Sequence, residues 1–319
     1  MAGTGILVLG SYACKQGKKE MEEKVAEDEV DTTSPELFFK LSLAQWSINQ
    51  MIRKDGVDPY TFAEKAKAWG FSGLEYVSGL YYPDLEAADF SEAAMKAFVD
   101  KSNAEAKKHG MKNLLIMIDR QGNLAAADEA ERNAAVESHH KWVDAAQAMG
   151  CHSIRVNLGG SEEKNEWTQA SIDGLTKLST YAQNKNINVT VENHGGFSSN
   201  GELLANVMQQ VNMDNCGTLP DFGNFCMKWA EWPACDDWYD RYKGMKELMP
   251  YAKAVSAKSM DFDENGDEKN TDYVKMLQIV KDAGYSGYIG VEYEGRELSE
   301  EEGILATKEL LIKAGKSLS

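Results

Sequence analysis

Eight short apolar runs alternate with longer amphipathic segments from Leu37 to the C-terminus, and this alternation limits the fold more than any other feature. The runs are KLSLAQWS, SGLEYVS, NLLIMID, SIRVNLGG, INVTVENHGG, CGTLPDFGN, AVSAKSM and GYIGVEYEG. A strand that is apolar at consecutive positions must be covered on both faces. The segments between the runs, such as DPYTFAEKAKAWG, AAVESHHKWVDAAQAMG and TDYVKMLQIVKDAG, carry apolar residues at helical spacing. Several end on glycine (Gly70, Gly110, Gly150 and Gly284), which supplies a left-handed cap before the next strand. Covered strands, each followed by a helix, imply a parallel sheet, and eight such units close into a (β/α)8 TIM barrel. The predicted barrel spans residues 36–319 as one domain.

Chemistry in such a barrel sits at the C-terminal ends of the strands, on side chains that alternate toward the axis. The polar residues in those places are Trp46, Glu75, Asp119, Arg155 and Asn157 on the first four runs. Glu192 with His194, Asp221, Ser256 with Lys258, and Glu292 with Glu294 follow on the last four. A barrel core favours Val, Ile and Leu, so this many polar strand ends packs poorly unless they bind something. Glu192, Asp221 and Glu292 would converge at the mouth, where three carboxylates raise one another's pKa values. A divalent cation resolves that repulsion, and all-oxygen donors suit a hard ion such as Mg or Mn. Such a site can chelate a sugar's hydroxyl and carbonyl oxygens and stabilise the charge left when a proton departs beside a carbonyl.

VENHGG, PDFGN and GVEYEG, in this order on an eightfold barrel, resemble the xylose isomerase-like family of sugar isomerases and epimerases over about residues 38–315. The resemblance implies that Glu192 and Glu292 ligate a metal (Mn, Mg, Co or Zn) and shuttle protons, with Asp221 as a further ligand. It places His194 and Asn224 against the substrate, and Trp46, Glu75 and Asn157 join them as expected substrate contacts. One match fails. The family presents a metal-binding histidine on the seventh strand, in a pattern like His-x-Lys, whereas VSAKS carries Ser256 there and retains Lys258. Serine is a poor ligand, so three readings stay open. The metal is held more weakly, or Lys258 replaces it as electrophile or acid, or the protein binds a sugar without turning it over. Lys258 could also serve only as a salt bridge to Glu292.

Composition removes other classes. A formal net charge of −17 repels phosphate backbones, and the only Lys cluster is the short KQGKK. The superfamily's abasic-site endonucleases need three zinc ions held by many histidines. This chain has five, of which His109, His139 and His140 fall on helices and His152 at the wrong end of a strand. No nucleic-acid partner is therefore expected. Cys151, Cys216, Cys226 and Cys235 read as buried and inert, too scattered for a disulfide framework. Residues 1–35 read as a leader, with the apolar run GILVLGSYAC ending at Cys14 and a charged tether after it. This resembles a lipoprotein signal, with Cys14 as a membrane tether and the domain in the periplasm or cell envelope. The alternative is a cytoplasmic chain with a frayed N-terminus. Barrels of this kind often pair, so a homo-oligomer is expected.

Three functions follow from these residues. The first is an isomerase or epimerase passing through an enediolate, with Glu192 and Glu292 trading the proton. The second is a lyase or hydratase on an oxidised sugar or glycoside, which begins with the same abstraction. The third is a carbohydrate-binding barrel without catalysis, in which Trp46, Trp229, Trp232, Tyr81 and Tyr82 stack on a sugar. The aromatic stretch KWAEWPACDDWYD otherwise reads as a lid packed on itself or on a neighbouring subunit. After the seventh strand, DFDENGDEKNTD imitates a calcium loop. A strand precedes it where a helix belongs, so it reads as a solvated loop with Thr271 or Asp272 capping the next helix.

Overall fold

The computed structural model describes residues 1–3, 36–231 and 234–318. The chain divides into two units, Met1–Pro35 and Glu36–Ser319. Cys14, with its expected lipidation, and Trp232 lie outside the described residues.

Eight strands of the second unit form one parallel sheet. They are β1 (Lys40–Ala44), β2 (Gly73–Val77), β3 (Lys112–Met117), β4 (Ser153–Val156), β5 (Asn188–Glu192) and β6 (Cys216–Leu219). After a two-stranded insertion, β7 (Cys226–Trp229) and β8 (Cys235–Trp238), come β9 (Val255–Ser259) and β10 (Tyr288–Tyr293). The sheet order is β6-β5-β4-β3-β2-β1-β10-β9. Its two edges meet through parallel bridges, Thr218 with Ala252 and Asp221 with Ser256. Ser256 N donates to Pro220 O and Phe222 N to Ser256 O, both at 3.0 Å, so the sheet closes as the repeat predicted. Leu43, Leu74, Ile116, Ile154, Val189, Val255 and Val291 are buried, which accounts for the unbroken apolar runs.

The helices end by local chemistry. Asp128 caps Glu129–Met149 by accepting from Glu131 N, and Gly150 closes that helix at φ +72°. Ser299 and Glu302 form a reciprocal capping box at the start of Glu300–Ser317. Asp272, one of the two expected caps, accepts from Lys275 N and starts Tyr273–Asp282. The calcium-like stretch before it is tied up by backbone N–H groups, its own and those of the loop after β10. Asp263 accepts from Asn265 N and Asp267 N, and Asp261 from Arg296 N and Glu297 N. No helix among the described residues is long and apolar enough to cross a membrane.

Two expectations are corrected here. Cys226 and Cys235 are not inert thiols but a disulfide across the β7–β8 hairpin, while Cys151 and Cys216 are free and buried. The pair lies nine positions apart and spacing alone did not join it; the bridge crosses a ladder that sets Cys226 opposite Trp238 and Cys235 opposite Trp229. Tyr81 and Tyr82 are buried rather than offered to a ligand. Gln45 donates to Tyr81 Oη at 2.8 Å, and Tyr82 Oη donates to the Asp119 carbonyl. Their rings join Phe98, Phe90 and Trp142 under the helices.

Candidate functional site

The C-terminal strand ends open into a cavity of about 800 Å³. Glu292 lines it, and Glu192 and Asp221 lie buried just behind that lining; the three bring one carboxylate oxygen each within 4.8 Å of one another. Period-two alternation puts Glu192 and Glu292 at the last inward positions of β5 and β10. Asp221 follows β6, just where the chain bridges to Ser256.

Each carboxylate is held from below and beside. Asn224 Nδ2 donates to Glu192 Oε1 at 2.9 Å. Arg155 Nε stands 2.9 Å from Glu192 Oε2 but off the N–H direction, an ionic contact that leaves both atoms without a hydrogen bond. The other arm of Arg155 donates to Asp119 Oδ1 at 3.0 Å. Asp221 Oδ1 accepts from Gly223 N and Asn224 N, each at 2.8 Å, and Oδ2 accepts from Ser256 Oγ at 2.6 Å. Ser256 Oγ also lies 3.3 Å from Glu292 Oε2. Lys258 Nζ sits 3.2 Å from Glu292 Oε1 and 3.1 Å from Glu294 Oε1. The expected Lys258–Glu292 bridge exists, and Glu294 shares it.

These contacts set the proton affinities. Burial pushes Glu292 up to about 8 despite Lys258, and Glu192 adds to the rise. Burial likewise pushes Asp221 up to about 6 against the pull of Lys258. For Lys258 burial opposes the charge, but Glu292 and Glu294 outweigh it and hold the ammonium well above its usual range. Asp119 shows the opposite balance from Glu292. Burial raises it, yet Arg155 wins and keeps it below the ordinary carboxylate value. Desolvation lowers His194, although its ring is reached from the cavity.

The other predicted contacts divide. Trp46, His194, Asn224, Lys258 and Glu292 line the cavity. Glu75 does not. It is buried beneath, with Ser42 Oγ donating to Oε1 at 2.6 Å and Oε2 unpartnered, and burial pushes it up to about 7. Gly290 makes room for it, since a Cβ there would stand 2.5 Å from both carboxylate oxygens. Asn157 donates to Asp119 Oδ1 at 3.2 Å and braces that group instead of facing the cavity. Asn193 carries no signal of a site role in the sequence, because alternation points it away from the axis. Its side chain donates to Asp221 O and Asn224 O and accepts from Asp221 N, tying β5 to the turn after β6. Arg241, Glu268, Asn270 and Thr271 also line the cavity, from segments with no periodic signal to mark them.

Three buried carboxylates in reach of one point, with burial holding Glu292 and Asp221 above the ordinary carboxylate range even beside Lys258, are an oxygen donor set that fits a hard divalent ion. Ser256 is no ligand in this arrangement, because its hydroxyl donates to Asp221.

Fold and site together define a parallel (β/α)8 barrel with an acidic, strand-end centre. The chain belongs to the xylose isomerase-like TIM-barrel family, whose model matches residues 63–314. Among solved structures, a zinc-bound IOLI protein superposes with a TM-score of 0.66 at 18% identity, covering 88% of this chain and 99% of that one. An L-ribulose 3-epimerase reaches TM-score 0.66 at 11% identity, over 88% of this chain and 97% of its own. A 3-keto-D-glucoside 4-epimerase from E. coli reaches 0.63 at 12% identity, over 85% and 98%. At these identities the likeness is one of fold. A 57-residue stretch is 37% identical to the 3'-dehydrocarminate deglycosidase alpha subunit of a Microbacterium species. That stretch spans 18% of this chain and 16% of the relative's length.

Proposed function

We propose that the protein is a carbohydrate isomerase or epimerase that removes a proton from the carbon next to a keto-sugar's carbonyl. The observation that carries this reading is the buried trio Glu192, Asp221 and Glu292, which meets an open cavity at Glu292. Within it Glu292 favours its proton at neutral pH, while Glu192 is oriented by Asn224 and Arg155. In the forward step a carboxylate takes the proton as the C–H electron pair moves into the carbon–carbon bond and the carbonyl becomes an enediolate oxygen. The second group, as a carboxylic acid, returns a proton to the opposite face of the same carbon, which re-forms the carbonyl and epimerises the centre; return to the former carbonyl carbon, with the hydroxyl proton passing between the two oxygens, isomerises the sugar instead. Glu192, Asp221 and Glu292 are the residues that would hold a divalent cation, which supplies charge stabilisation at the developing oxyanion when bound. Lys258, clamped between Glu292 and Glu294, contributes positive charge to the same region.

The test is proton exchange. Incubated with a panel of ketoses in D2O, the protein should label the carbon beside the carbonyl, and Glu192→Gln should stop the labelling. Loss of sugar binding in Glu192→Gln with no labelling by the unaltered protein would favour the non-catalytic binder.

A second reading, elimination or hydration on an oxidised glycoside, is favoured by the deglycosidase match. It shares the first step and differs in what leaves next, so release of an aglycone or uptake of water would select it. The Cys226–Cys235 disulfide supports residence in an oxidising compartment, such as the cell envelope, over the cytoplasm.

A further inference from the structure

The cavity has a second half, built unlike the first. Trp229 and Trp238 are among the few large apolar side chains exposed in the described residues, at 40% and 48%, and both line the cavity. They stand at the ends of β7 and β8, with ring centroids 6.3 Å apart and planes at 69°, so the two indoles form an open corner. The corner is joined to the acidic floor. A Cβ on Gly195 would lie 3.2 Å from Trp229 Nε1, so that indole rests on the residue after His194, three beyond Glu192. Arg241 covers Trp238, its guanidinium 5.5 Å from the ring centroid, and is held by a hydrogen bond to Thr271. Arg241, Glu268, Asn270 and Thr271 add polar groups to the same wall.

A two-stranded ribbon of this length is marginal by itself, so two large aromatics would not keep a defined angle on it. The Cys226–Cys235 bridge removes that freedom, because each of its cysteines stands opposite one of the two indoles, Cys226 facing Trp238 and Cys235 facing Trp229 in the ladder. Indole faces with polar groups around them match a pyranose or an aromatic ring carrying hydroxyls, which offers apolar faces and polar edges. At about 800 Å³ the cavity is toward the upper end of the ~300–1,000 Å³ range of small-molecule sites, and one sugar ring fills only part of it.

We propose that Trp229 and Trp238 form an outer subsite for the second ring of a glycoside, and that the Cys226–Cys235 disulfide holds this subsite in shape. The substrate class is then a two-ring glycoside, its reacting sugar over the carboxylates and its second sugar or aromatic aglycone in the indole corner. This rests on the proposed sugar chemistry only for what occupies the floor.

The experiment compares matched probes by calorimetry: methyl and nitrophenyl glycosides of glucose, galactose, mannose and xylose, with cellobiose, maltose and lactose as two-sugar members. At least one nitrophenyl glycoside or disaccharide should bind about tenfold more tightly than its methyl partner. The ratio should fall to about one in Trp229→Ala/Trp238→Ala, with the thermal melt confirming a folded barrel. It should also fall in Cys226→Ser/Cys235→Ser, and in the unaltered protein under a phosphine reductant. A ratio near one for every pair, or a ratio that survives loss of both indoles, overturns the proposal. So does a double-tryptophan variant that changes from dimer to monomer on gel filtration with its ratio unaltered, because the corner is then a contact between copies. Labelling of ketoses in D2O separates the two readings. Labelling without discrimination leaves the chemistry standing and removes the subsite, and discrimination without labelling does the reverse.

Discussion

The floor and the rim of one cavity are built by opposite means. The floor is buried charge on strand ends, and every group in it is positioned by another: Asn224 and Arg155 on Glu192, Ser256 on Asp221, Lys258 on Glu292. The rim is exposed aromatic surface on a short ribbon, and one covalent bond ties its strands together. Charges in a low-dielectric site need dense hydrogen bonding and counter-charge to exist at all. Aromatic faces need only to be held still. The contrast predicts that damage to the floor removes chemistry and stability together, whereas damage to the rim changes what is bound.

The largest effect belongs to Glu192. Glu192→Gln keeps the shape and the Asn224 contact but removes the base, and turnover or isotope exchange should fall by about 10²–10⁴-fold. Arg155 comes next. Arg155→Met leaves buried Glu192, and half-buried Asp119 beside it, without their shared cation, so urea unfolding should show a loss of about 3–5 kcal/mol. A loss below 1 kcal/mol would mean that the floor does not depend on mutual support.

Away from the cavity, His139 is a buried histidine with Nδ1 2.7 Å from Ala135 O. Desolvation brings it from 6.5 down to about 4. The unfolded chain therefore takes up a proton between those values that the folded chain refuses. The stability that neutral His139 contributes is complete above pH 6.5 and is lost as pH falls toward 4, by about 3 kcal/mol. His139→Gln should flatten that part of the stability–pH curve relative to the unaltered protein. The smallest floor effect is Ser256→Ala, which strips one donor from Asp221 Oδ2 and should cost about 1–3 kcal/mol. At the rim, Cys226→Ser/Cys235→Ser should leave the barrel's urea midpoint nearly in place while the hairpin becomes open to protease. If the midpoint falls as far as in Arg155→Met, the rim is part of the core and the contrast fails.

The barrel and its floor were legible in the chain because both follow a period. Unbroken apolar runs mark strands covered on two faces, and a charge at the last inward position of such a run has few reasons to be there. Glu192, Asp221 and Glu292 could be named on that basis, whereas the anomaly at Ser256 showed only through the family resemblance, which implies a histidine there. Glu75 obeyed the same rule and still sits beneath the cavity, because Gly290, on β10 beyond the intervening β1, opens space below the mouth. Asn193 disobeyed it and matters, since it works through the backbone of another turn.

What the amino-acid order determined by itself was local and repeated: the strands, the helix caps at Asp128, Asp272 and Ser299, and the convergence of carboxylates that an eightfold parallel barrel entails. Tertiary structure alone decided which cysteines pair, which tyrosines are hidden, and what faces Trp229 and Trp238. The reason is range. A pattern of period two or 3.6 reports the side of an element on which a residue lies. A disulfide, an ion pair or a shared wall depends on distances between elements, and those exist only once the barrel has closed.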